Sequence, residues 1–190
     1  VELLSNYFFF KNLSIRDIYE LRILLEPEMA AACIGHLSED DFQRLEEVMT
    51  WYASHPQSIE EARRQRHKEL EFHLVLVELC PNPLLSFFCR FMIDLLMNLT
   101  VCKKIYDQPN TELRETGRNY QFRLIEALRN GDGETARAVT YQHMCAAQRL
   151  MEEQEAVVEN RFLRVGNIDL PRDLPPSAEL RALSGIATKH

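Results

Sequence analysis

Lys68-Glu69-Leu70-Glu71-Phe72-His73-Leu74-Val75-Leu76-Val77-Glu78-Leu79 is helical in period and mostly apolar. Glu69 and His73 lie four apart, so they share one face of that helix. Arg66 and Leu76 continue their stripe, beside Leu70, Leu74 and Val77. A carboxylate and an imidazole held one turn apart can bind a metal, bind an acid, or satisfy each other. Fold and function are therefore posed together by this stretch.

Working outward, Ser58 with Glu61 is a capping box, so this third helix runs from Ser58 to near Cys80. Before it, Ser14 with Asp17 starts a first helix over Ile15 to Ile34, carrying Ile18, Leu21, Leu25, Met29 and Ala32 at helical spacing. Pro27 falls inside that helix and predicts a kink or a break, and Gly35 is its stop. Ser38 opens a second helix, with Asp40 and Asp41 at its start and His55-Pro56 after its end. Pro81-Asn82-Pro83 punctuates the chain after the third helix.

A fourth helix, Leu84 to about Ile105, is apolar nearly all round and must be covered on most sides, in the core or in a subunit interface. A fifth spans Thr111 to Arg129, Asn130-Gly131-Asp132-Gly133 turns the chain, and a sixth spans Glu134 to Phe162. Val165 to Pro176 should be extended, and Ser177 can cap a short last helix to Leu183. The fold class is all-α: an antiparallel bundle of six or seven helices over residues 14–162, with a linker at 1–13 and an extended tail at 163–190.

The totals agree. A chain of 190 residues with 46% hydrophobic and 27% charged residues fits one cored globular domain. A net charge of -7 repels a phosphate backbone, so this segment should not itself hold nucleic acid. Five scattered Cys without a CxxC pair predict core thiols in a reducing, cytoplasmic setting rather than a disulfide framework. The longest apolar run, Pro83 to Cys102, contains Arg90 and Asp94, which argues against a membrane span. The chain opens on Val, which suggests an upstream part.

Polar residues on apolar faces narrow the site. His143 stands between Val139 and Ala147 on the sixth helix, Gln121 shares a face with Leu124, Ile125 and Leu128 on the fifth, and Arg22 lies beside Ile18 and Leu25 on the first. Two His, a Glu and a Gln from separate helices could meet around one ion, and imidazole with carboxylate suits Zn, Ni, Mn or Fe. Equally, such residues could satisfy one another within a metal-free interaction module, or Glu69, His73 and His143 could form the two-His-one-carboxylate site of a metalloenzyme.

Several segments are similar to one known family. Ser14 to Pro27, with its Glu20-Leu21-Arg22 and Leu25-Glu26, resembles the opening of the effector-binding (FCD) domain of FadR-type regulators in the GntR family. Glu69-x-x-Phe72-His73 is similar to that family's D-x-x-F-H, and Asn82-Pro83-Leu84-Leu85 to its turn after that helix. Ala127-Leu128-x-x-Gly131-Asp132-x-x-x-Ala136 with His143 resembles its ending.

The resemblance implies an all-helical, non-enzymatic domain that binds a small organic acid and forms a homodimer, behind an N-terminal winged helix that binds operator DNA. It also implies a divalent metal (Zn, Ni or Mn) held by one Asp and three His. In this chain the Asp position is Glu69, the first and third His are His73 and His143, and the second falls on Gln121, a poor ligand. Arg22 or Arg66 is then expected to pair the effector's carboxylate, above a polar floor of Glu69, His73, Gln121 and His143. The fourth helix, with the first beside it, is the candidate dimer face.

Overall fold

The computed structural model describes residues 13–51, 53–98 and 110–166, with side chains as far as residue 157. The chain divides into two compact units at residue 158, and the unit before that point is described by itself. It is all-α: six helices and no strand occur among the described residues. They are α1 (Ile15–Ala32), α2 (Glu39–Trp51), α3 (Ile59–Leu79), α4 (Pro83–Asn98), α5 (Thr111–Arg129) and α6 (Gly133–Gly166).

Each helix starts on a polar side chain that takes the backbone N–H groups its first turn leaves unpaired. Ser14 accepts from Asp17 N at 3.1 Å while Asp17 accepts from Ser14 N at 2.8 Å. Ser38 and Asp41 repeat this reciprocal box at α2. At α3, Ser58 accepts from Glu61 N, and Glu61 reaches back to Gln57 N. Asn82, Asn110 and Asp132 cap α4, α5 and α6 in the same way. Between α5 and α6, Gly131 at φ +68° closes α5 with two backbone bonds, Gly131 N to Leu128 O and Asp132 N to Ala127 O.

Of the kink or break expected at Pro27, the break is corrected: α1 runs unbroken through that residue. Pro27 removes the bond to the carbonyl one turn earlier. Burial of Glu26, Pro27, Met29 and Ala30 along one side keeps the helix in register. The sixth helix continues past Phe162 to Gly166, so the start of the expected tail is helical. The linker, the end of the fourth helix beyond Asn98 and the rest of the tail lie outside the described residues.

The core joins all six helices, from Ile15, Ile18, Tyr19 and Met29 on α1 to Val139, Met144, Leu150 and Met151 on α6. α1 packs chiefly on α4, α2 on α3, and α3 on α4. α4 shows both natures its sequence allowed. Cys89, Met92, Ile93, Leu95 and Leu96 are buried, whereas Leu84, Phe87 and Phe88 are exposed beside one another on its first half. On α1, Leu21 and Leu24 are exposed as well. Four Cys among the described residues are free thiols, and burial pushes that of Cys33 up to about 12. No described helix is long and apolar enough to cross a membrane.

Candidate functional site: a buried ionic cluster between helices

The inner face of α1 carries Arg22 and Glu26 one turn apart, and both are buried, at 1% and 0% exposure. Arg22 donates from Nε and Nη2 to the two carboxylate oxygens of Glu26, the second bond at 3.2 Å. Its guanidinium also covers the Tyr19 ring, 5.0 Å from the centroid. Burial pushes the Glu26 carboxyl up, but the Arg22 charge and then His73 outweigh it and hold the group at about 2. Glu26 is therefore a fixed anion in an apolar interior, stable there only because it is paired.

α3 supplies His73, whose Nδ1 donates to Glu26 Oε2 at 3.0 Å. Its other nitrogen, Nε2, faces Nε2 of His143 on α6 at 3.4 Å. The two rings are nearly parallel, 10° between planes and 5.3 Å between centroids. Tyr120 of α5 leans on His143 at 5.6 Å. Burial, then the neighbouring His73 and Arg22, push the His143 imidazole well below its usual range, so it is neutral at neutral pH. Its Nδ1 is buried without a hydrogen-bond partner among the described residues.

One turn earlier on α3, Arg66 Nη1 donates to Glu69 Oε2, and Arg66 Nη2 lies 3.6 Å from the Met151 sulfur of α6. The other carboxylate oxygen of Glu69 is turned toward α5. A Cβ placed at Gly117 would lie 2.7 Å from Glu69 Oε1 and 3.5 Å from His143 Cε1. Gln121 follows Gly117 by one turn on α5 and is buried. Glu69, His143 and α5 thus converge on the backbone at Gly117.

The structure places Arg22, Glu69, His73, Gln121 and His143 in the interior, with Arg66 nearly so. Both candidate arginines already hold an internal carboxylate: Arg22 holds Glu26 and Arg66 holds Glu69. Glu26 and Gly117 were missed as participants in the sequence. Glu26 had a legible signal, since it lies four after Arg22 on the stripe Ile15, Ile18, Tyr19, Arg22, Met29. Gly117 had the signal of a glycine inside a helix, without a hint of what approaches it.

The metal expectation can be tested on the donors. The 3.4 Å between the two Nε2 atoms is about the span of two nitrogens that each lie about 2.1 Å from one tetrahedral ion. Glu26 on His73 Nδ1 is the outer carboxylate that such a ligand typically has. Among the described residues no third donor is placed, because Glu69 is engaged with Arg66 and position 121 offers a neutral amide. Among the described residues no group of three or more His, Cys, Asp or Glu is arranged to hold an ion. The cluster as folded supplies half of a metal centre.

Residues 17–146 match the FCD domain family, and that span contains every residue of the cluster except Met151. No curated protein and no solved structure matches the chain.

Proposed function

The chain belongs to the FCD domain family, and on that premise we propose that it is the effector-sensing and dimerisation part of a GntR-type, FadR-subfamily transcription regulator. The effector is a small organic acid. The observation that carries this reading is the Arg66–Glu69 pair, 12% and 8% exposed at the side chains, ending at the His73–His143 stack. An acid's carboxylate can take the place of Glu69 on Arg66, because a guanidinium binds any carboxylate through the same paired N–H groups. His143, neutral and lying with Glu69 against Gly117, has a buried Nδ1 that a ligand can bond.

The regulator works if the acid binds one arrangement of the helices better than another. Displaced from Arg66, Glu69 becomes available, and His73, His143 and Glu69 would then hold a divalent ion if one is present. Such an ion would supply a positive charge for the acid; the reading does not require it. The homodimer forms through α4 with α1 beside it, where Leu84, Phe87, Phe88, Leu21 and Leu24 are exposed. Operator DNA is held by an N-terminal winged helix, which suits the net charge of -7 here.

Thermal denaturation against a panel of small mono- and dicarboxylic acids, with and without Zn²⁺, Ni²⁺ or Mn²⁺, tests this. At least one acid should stabilise the protein, because a ligand that binds only the folded state raises its apparent stability. That gain should vanish in Arg66→Gln. A second reading, a metal-free interaction module, is favoured by the closed pairing of Arg22, Glu26 and His73. No stabilisation by any acid or metal would select it.

A further inference from the structure

Gly117 stands in the middle of α5, buried, between Thr116 and Arg118. Glycine is the least favourable residue for a helix interior after proline, so its presence there needs a reason. Backbone conformation is not the reason: the positive-φ glycines are Gly35 and Gly131. Space is. A Cβ at 117 would meet Glu69 Oε1 at 2.7 Å, closer than such atoms approach, while the next neighbours, Glu69 Cδ and His143 Cε1, lie at an ordinary 3.5 Å. A single carboxylate oxygen is what a side chain at this position would have to displace. In the ligand-free fold that oxygen gives way only by loosening the bond of its twin to Arg66, inside a residue that is 6% exposed.

We propose that Gly117 is the positioning residue for Glu69. Its missing side chain is the space in which a glutamate, with its extra methylene, lays its carboxylate against α5 and on Arg66 at once. Glu69 and Gly117 are then a matched pair: the length of the acid on α3 and the absence of a Cβ on α5 are two halves of one feature. A shorter aspartate arm on α3 would draw the carboxylate back by about one C–C bond, ~1.5 Å. An alanine methyl on α5 would then fit, and its better helix propensity would show.

The test measures Gly117→Ala in three backgrounds of the full chain: the native Glu69, Glu69→Gln and Glu69→Asp. Melting temperatures are read without ligand, so the result is independent of whether an acid binds. With Glu69, Gly117→Ala should lower the melting temperature by roughly 3–6 °C. Glu69→Gln keeps the length of the arm and should give the same loss. With Glu69→Asp, the same Gly117→Ala change should raise the melting temperature by about 2–4 °C. A Gly117→Ala shift of equal sign and size in all three backgrounds overturns the pairing. If Gly117→Ala fails to fold with the native Glu69 but folds when combined with Glu69→Asp, the pairing stands. Failure in both backgrounds means that something other than the carboxylate excludes the Cβ, and the proposal falls.

Discussion

Glu26 Oε2 accepts a hydrogen bond from His73 Nδ1 at 3.0 Å, and this bond joins α1 to α3 inside the core. The same carboxylate also neutralises Arg22. One anion therefore satisfies two buried donors on two helices. Removing its charge leaves the Arg22 guanidinium, 1% exposed, without its counterion in a low-dielectric interior. Glu26→Gln should destabilise the fold by about 3–5 kcal/mol, measured by urea denaturation. A loss under about 1 kcal/mol would mean that Arg22 finds another anion.

Acid should act on the cluster in two steps. His143 is neutral when folded, but in the unfolded chain its imidazole takes a proton near the ordinary value of 6.5. Stability is thus present above pH 6.5 and declines as the pH falls below it. Glu26 is held at about 2 in the folded chain against an ordinary 4.5. Its contribution, about 3 kcal/mol, is present above pH 4.5 and is lost as the pH falls from there toward 2. Urea midpoints at a series of pH values, on chelator-treated protein, should show both declines. His143→Gln should flatten the upper one and leave the lower.

Restoring the donor at position 121 should raise metal affinity. Gln121→His adds an imidazole one turn from Gly117, on the helix that meets Glu69 and His143. Zn²⁺ and Ni²⁺ binding, read by calorimetry, should tighten by at least roughly tenfold. An unchanged affinity would show that position 121 does not face the two imidazoles.

The exposed apolar face of α4 should hold the dimer. Phe88→Glu places a charge beside Leu84 and Phe87, two further exposed apolar side chains. The dimer should weaken by at least about 2 kcal/mol, roughly 30-fold, in sedimentation equilibrium. Leu24→Glu on α1 should weaken it in the same direction. Unchanged association in both variants would move the interface elsewhere.

The fold was written locally in this chain, and the cluster only in part. Ser14, Ser38, Ser58, Asn110 and the Asn130–Gly133 turn announce helix ends through chemistry that acts within a few residues. The 3.6-residue period then says which side of each helix is buried, and it put Arg22, Glu69, His73, Gln121 and His143 on inner faces. It cannot say which buried group meets which, because those meetings are between helices far apart in sequence. So the sequence offers Arg22 or Arg66 to an acid without showing that Glu26, one turn from Arg22 on the same stripe, pairs with it. Pro27 predicts a kink or a break, yet α1 continues through it, because propensity is a local tendency that packing overrides. The crowding at Gly117 comes from α3, and in the sequence of α5 only the glycine itself records it, without naming what approaches.

The anchoring of Glu26 to His73 also has a mechanical side. From Glu26 back to Ser14, α1 is an uninterrupted rod about 18 Å long. Whatever displaces His73 pulls on one end of that rod. A sideways shift of about 1 Å at Glu26, with Ser14 as the pivot, is a tilt of roughly 3°. The first helix can thus turn a small repositioning of an imidazole into a change of direction at the point where the preceding chain is attached.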